Sequence, residues 1–261
     1  MTYRNGLRLR CVLASLVMLV LVRAVPAADE IRVMTSGAFT AAHQALVPEF
    51  ERATGRTVVT TYGASMGSGE TTIPRRLERG EPADVVILAA PALDDLAARG
   101  LVLADTRVDL VRSSIAMAVR TGAARPDIST IDQLTRTLLQ AKSIGYSSSA
   151  SGTYLVNELF PRLGVAETLR GRLKVSEGAV GPLIANGEVE IGFQQVSELL
   201  PVPGIDIVGP LPARAQRVTV FAAAIVRGAN NLDAARALLH FYASRAAAPT
   251  IRRTGLEPFV K

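Results

Sequence analysis

The 261-residue sequence holds one cysteine and two histidines. Cys11 falls in an N-terminal segment that is expected to be removed, so the mature chain has no disulfide, no thiol nucleophile and no thiolate metal ligand. His43 sits in the first turn of an expected helix and His240 in the last one, beside Phe241; each reads first as a surface or packed histidine. No His/Asp/Glu cluster has the spacing of a metal site. No glycine-rich loop is followed by Gly-Lys-Ser/Thr, which excludes a P-loop, and no strand is followed by G-x-G-x-x-G, which excludes the dinucleotide fingerprint. A G-x-S-x-G nucleophile elbow is missing too. No cofactor is expected. There is no repeat of fixed period, no low-complexity linker, and no apolar run near the roughly 20 residues of a membrane span.

What the N-terminus does contain is a basic stretch (Arg4, Arg8, Arg10), then 12 mostly apolar residues from Cys11 to Val22, then Val25-Pro26-Ala27. This is the pattern of a secretory signal peptide over residues 1–27, cut after Ala27, and it places the mature protein in a bacterial periplasm. The formal net charge of +6 falls with it. Removing four arginines and no acids leaves 25 Lys and Arg against 23 Asp and Glu, a net charge of +2. Without an aromatic-interleaved basic stripe, nucleic-acid binding is not expected. At 49% hydrophobic residues and a mean hydropathy of +0.27, the chain can fill the core of one large or two small domains.

Strands and helices alternate along the mature chain. Strand-like runs at 30–34, 57–62, 84–89 and 114–119 are separated by helical runs from Thr40 (with Ala42, Leu46, Phe50 and Ala53 on one face), at 71–79 and at 91–100. The pattern restarts with a helix opened by Ser129-x-x-Asp132. Strands at 143–147, 174–176, 188–193 and 218–226 follow, with helices at about 153–163, before Gly187 and at 231–244. Short connections between alternating elements predict an α/β fold of parallel sheets covered on both faces. Two rounds of the pattern predict two lobes joined twice: residues 28–110 with 209–261, and residues 111–208. Pro201, Pro203, Pro210 and Pro212 stiffen the second crossing.

Ligands of open α/β sheets bind beyond the carboxyl ends of the strands. Three loops there are rich in small polar residues: TSGAF (35–39), GASMGSGE (63–70) and SSSASGT (147–153). Small residues let backbone N–H groups come close, and the helices behind aim their positive ends at a ligand. Thr35, Ser36, Gly37, Ser65, Ser68, Ser151, Gly152 and Thr153 are therefore candidate ligand-binding residues, with Gln194 and Gln195 after a fourth strand. Together they describe a pocket for a small anion or a carboxylate. Each loop taken singly is equally an ordinary cap or turn.

VMTSGAFTAAHQALVPEFERATG, RRLERGEPADVVILA, the serine loop and IGFQQVSELLPV, in that order, resemble the periplasmic molybdate-binding proteins of ABC importers, and more narrowly a divergent branch of that family that includes aconitate isomerase. The resemblance spans essentially the whole mature chain. It implies a type II periplasmic binding protein fold: two α/β lobes, two crossing strands and an interlobe ligand cleft that closes about a hinge. It also implies a monomer that delivers a small anion to a transporter membrane subunit. The family's oxyanion ligands are replaced here. A serine after the first strand corresponds to Ala38, with Ser36 two residues earlier, and a later tyrosine corresponds to Gln195. The second loop is longer, with Ser65, Ser68 or Thr71 as donors, and an alanine backbone donor falls at about Ser151. An organic di- or tricarboxylate then suits the cleft better than molybdate.

The alternative implied by the same branch is a 1,3-proton shift between trans- and cis-aconitate in that cleft. It needs a base. Glu70 and Glu177 lie in ligand loops and are the candidates, with Tyr62 and His43 nearby; each glutamate is otherwise a solvated loop charge.

Overall fold

The computed structural model describes residues 30–259, so the expected signal peptide lies outside the described residues. Two mixed sheets organise the chain. The strands are β1 (Glu30–Thr35), β2 (Thr57–Tyr62), β3 (Val85–Ala89), β4 (Val108–Ser113), β5 (Ile115–Arg120), β6 (Ile144–Ser147), β7 (Leu173–Ser176), β8 (Ile191–Gln195), β9 (Ile205–Pro210), β10 (Thr219–Ile225) and β11 (Glu257–Pro258). The helices are α1 (Gly37–Thr54), α2 (Ile73–Glu78), α3 (Ala90–Ala98), α4 (Ile131–Gln140), α5 (Ala150–Tyr154), α6 (Phe160–Arg162), α7 (Ala166–Leu169), α8 (Gly181–Ala185), α9 (Val196–Leu199), α10 (Leu232–Tyr242) and α11 (Ala248–Arg253). A π-helical turn, Leu155–Leu159, joins α5 to α6.

The first sheet has the order β11-β4-β10-β3-β1-β2 and the second β7-β6-β8-β5-β9. The chain passes from the first to the second between β4 and β5, with only Ser114 between them, and returns between β9 and β10 across residues 211–218. The expected divisions after 110 and after 208 fall inside β4 and β9. The sheets are not wholly parallel as expected. β1, β2 and β3 run parallel, and so do β6, β7 and β8, but β10 is antiparallel to β3 and β5 antiparallel to β8. The reason is where a crossing strand enters. It arrives from the other lobe at the carboxyl ends of the parallel strands, pairing Ile115 with Gln195 and Phe221 with Ala89, and then runs away from them.

Both faces of each sheet are covered. On the first, Phe39, Leu46, Phe50, Leu238 and Tyr242 from α1 and α10 pack on one side, and Ile73, Leu77, Leu93 and Leu96 from α2 and α3 on the other. On the second, Leu134, Leu138, Tyr154, Leu159 and Phe160 cover one face, and Val180, Ile184 and Leu199 the other. Helix α1 begins three residues before Thr40, which places Gly37 and Ala38 in its first turn, and Ala53 is exposed while Ala42, Leu46 and Phe50 are buried. Helix α4 is capped one residue later than expected: Thr130 and Gln133 form a reciprocal capping box.

His43 is packed rather than poised for chemistry. Its Nε2 lies 2.7 Å from Thr60 Oγ1 and its Nδ1 2.8 Å from the Tyr242 hydroxyl. Burial lowers its pKa to about 4, so it is neutral at physiological pH.

Candidate functional site: the interlobe cleft

Strand ends from both sheets meet at a cleft of about 510 Å³. From the first lobe it is lined by Gly37, Thr40, Ala41 and Gln44 along one stripe of α1, by Tyr62 at the end of β2, and by Gly63, Ala64 and Thr71 after it. The second lobe contributes Ser149, the Glu177–Ala179 turn, Gln194, Ser197, Glu198, Pro201 and Val202. The α1 stripe follows from helical spacing: residues 37, 40, 41 and 44 share a face. A small recess of about 10 Å³ continues from the cleft, bounded by Ser36, Gly37 and Ala38 of one lobe and Ser149, Ala150 and Ser151 of the other, with Gln195, Glu198 and Phe221. Here the opening turns of α1 and α5 face each other. The first N–H groups of a helix have no intrahelical acceptor, so two sets of donors converge on this recess.

The residue that dominates the recess is Glu198, in the first turn of α9. A Cβ on Gly37 would lie 2.0 Å from Glu198 Oε1, so the carboxyl rests directly against the opening turn of α1. Gln194 Nε2 donates to Glu198 Oε1 at 2.9 Å. Burial pushes the Glu198 pKa up to about 7; hydrogen bonds from the Gln194 amide and the Gln195 backbone pull the other way without offsetting it. A carboxyl with that pKa exchanges protons at neutral pH, and among the described residues no Lys or Arg lines the cleft to hold it ionised. Three buried polar atoms around it have no hydrogen-bond partner: Ser36 Oγ, Gln195 Oε1 and Ser197 Oγ.

The sequence candidates separate into groups. Gly37, Glu177 and Gln194 line the cleft, and Ser36, Gly37, Ser151 and Gln195 line the recess. Thr35, Ser65, Ser68, Gly152, Thr153 and Glu70 line neither. Ser65 is fully buried and accepts the Ala89 N–H at 2.9 Å, tying the loop after β2 to the end of β3. Gly152 is needed for packing, since a Cβ there would lie 1.6 Å from the Ser147 carbonyl oxygen. Ser68 is exposed, Thr35 is buried, and the Thr153 hydroxyl donates to the Ser148 carbonyl. Glu70 is exposed and ion-paired to Arg79 at 2.9 Å, turned to solvent rather than to the cleft. Glu177, also exposed, accepts from Ser148 Oγ at 3.3 Å and lies against Gly69 of the opposite lobe, closing one side of the cleft mouth.

Glu198 escapes sequence reasoning because it looks like any acid in the first turn of a helix. The available signal was its place four residues after Gln194, beyond a strand end. Thr40 and Gln44 escape for a related reason: the stripe they form depends on where α1 begins.

Two lobes linked by two crossings, with a polar cleft at the strand ends, define a type II periplasmic binding protein fold. The structure of the periplasmic molybdate-binding protein of Azotobacter vinelandii superposes with a TM-score of 0.70 at 19% identity, covering 87% of this chain and 98% of that one. The sulfate-binding protein SubI of Mycobacterium tuberculosis H37Rv gives 0.68 at 19% identity, covering 88% and 87%. The chain belongs to the bacterial extracellular solute-binding protein family, whose profile matches residues 31–257. It is 46% identical over 227 residues to an aconitate isomerase from Pseudomonas sp, covering 87% of each. It is 26% identical over 213 residues to the molybdate-binding protein of Escherichia coli (strain K12), covering 78% of this chain and 80% of the other.

Proposed function

We propose that the protein is a periplasmic isomerase that interconverts trans- and cis-aconitate in the interlobe cleft, with Glu198 as the proton shuttle. The observation that carries this reading is the Glu198 carboxyl, set against the opening turn of α1 with a pKa of about 7. An anion carrier needs donors at that place; an acid titrating near neutrality belongs to a site that moves protons. Identity to an aconitate isomerase at 46% supports the substrate class.

In the proposed step the ionised Glu198 takes a proton from the substrate methylene carbon. The C–H electron pair becomes the new double bond, and the old double bond's electrons delocalise into a carboxylate as a dienolate. N–H groups at the starts of α1 and α5 stabilise that charge. Glu198 then returns the proton to the former vinylic carbon. Proton and electrons balance without an oxidant or reductant. The remaining carboxylates lie along the α1 stripe and near Tyr62. The Tyr62 oxygen accepts from Gln44 Nε2 at 3.2 Å, which leaves the hydroxyl hydrogen for a ligand.

A second reading is supported by the family match and by the neutral donors of the cleft: a carrier that delivers an organic di- or tricarboxylate to an ABC importer. One experiment separates the two. Purified protein is incubated with trans-aconitate while cis-aconitate is followed, beside a thermal-shift screen of tricarboxylates, molybdate, tungstate and sulfate. Turnover that disappears in Glu198→Gln establishes the isomerase. A thermal shift without turnover establishes the carrier, and a shift with molybdate alone overturns both ligand assignments.

A further inference from the structure

Gln194 is the buried amide that the proposed chemistry leaves without a task. It lies at the end of β8 with 1% exposure, and both of its donor hydrogens are already committed inside the protein. Its Oε1 accepts the Val180 N–H at 2.7 Å, which fixes which end of the amide is oxygen. Its Nε2 therefore carries both hydrogens towards the cleft, one to Glu198 Oε1 at 2.9 Å and one to the Gly178 carbonyl at 3.4 Å. Two anchors from the turn after β7 thus hold a single donor on a single carboxylate oxygen. An amide so engaged has no donor hydrogen left for a carboxylate ligand.

We infer that Gln194 is a positioning residue for Glu198: clamped by Val180 and Gly178, it aims the carboxylate at the substrate and holds it in its ionised form. The inference rests on the isomerase reading. It also changes what Gln194 does, from a ligand contact to a support of the base. Few other groups can take the part. Among the described residues, the remaining titratable groups lining the cleft are Glu177 and Tyr62, and no Lys or Arg lines it. The first turn of α1, packed against α9, carries no acid. On β5 and β9, Arg120 and Asp206 lie at the other end of the sheet from Gln195. Gln194 also links Glu198 to the turn bearing Glu177, which meets the opposite lobe at Gly69. Closure of the cleft mouth and placement of the base then share one turn.

The test compares wild type with Gln194→Met, which keeps the volume without the donors, and Gln194→Asn, which keeps the amide at shorter reach. Steady-state isomerisation of trans-aconitate is measured across pH, and the Glu198 carboxyl is titrated directly by infrared difference spectroscopy against Glu198→Gln. Loss of a donor to a charged acceptor predicts a fall in kcat of about ten- to a hundredfold in Gln194→Met. KM stays within a few fold, and both the acidic limb of the profile and the infrared titration move to higher pH. Unchanged kcat, limb and titration in a folded Gln194→Met overturn the inference while leaving the base in place. If KM rises and kcat does not, Gln194 is a ligand contact and the inference also fails. Wild type without turnover overturns the isomerase reading itself, and an active Glu198→Gln overturns Glu198 as its base. Should Gln194→Met not fold, the same readouts on Gln194→Asn decide.

Discussion

Replacing Glu198 by Gln should make the protein more stable and remove the proposed aconitate turnover, and the size of the gain in stability follows from the structure. In the folded chain the carboxyl pKa rises from 4.5 to about 7, chiefly through burial. One step in pKa is worth about 1.36 kcal/mol, so the full rise corresponds to roughly 3 kcal/mol. The sign follows from proton counts. Below pH 4.5 both folded and unfolded chains hold the proton, and nothing is lost. Between 4.5 and 7 the unfolded chain releases it while the folded chain keeps it, so stability falls as pH rises. Above about 7 the loss is complete. The amide introduced by Glu198→Gln cannot ionise, so the variant escapes this loss. Urea denaturation at about pH 4 should therefore give equal stabilities, and at about pH 8 the variant should lead by up to about 3 kcal/mol. For a chain of this size that is roughly 6–12 °C in Tm. Neutral His43 also shapes both curves, since its pKa of about 4 costs stability as pH falls from 6.5 towards 4. That contribution is common to both proteins and cancels in the difference. Parallel curves for wild type and variant at every pH would refute the half-buried, proton-exchanging carboxyl, and the proposed base with it.

Four further outcomes follow from the same geometry. Glu198→Gln should lower aconitate turnover by about 10²–10⁴-fold, read as cis-aconitate formed, as expected for loss of a general base. Gly37→Ala should displace the carboxyl, since the new Cβ would meet Oε1 at 2.0 Å; a misplacement near 1 Å costs about a hundredfold in kcat, with little change in Tm because a flexible side chain can move away. Tyr62→Phe should raise KM for aconitate by roughly 10–150-fold at unchanged kcat, the effect of one hydrogen bond to a charged carboxylate. Ser65→Ala should leave the Ala89 N–H buried without its 2.9 Å acceptor and lower stability by about 1–3 kcal/mol in urea denaturation.

The family's fold illustrates how one scaffold supports binding or catalysis according to a few side chains. Helix N-termini facing each other offer N–H donors without cations, and here a protein carboxyl rests against one of them.

Alternation of apolar strands and amphipathic helices determined the α/β class and the restart that divides the chain, because burial on both sheet faces demands continuous apolar strands such as VVILA. The small polar residues at strand ends marked the sides of the cleft. Strand direction was not legible: β5 and β10 look like any buried strand, and only the path of the chain between lobes makes them antiparallel. The roles of individual serines were not legible either, because a hydroxyl that caps a loop, like Ser65, and one that faces a recess, like Ser36, share the same local pattern. Glu198 is the clearest instance. Its four-residue spacing from Gln194 is written in the chain, but the environment that raises its pKa comes from α1, far away in sequence, brought against α9 by the closure of the two lobes. Sequence fixes which groups exist and how they are spaced along an element; only packing between distant elements removes the water that sets what those groups can do.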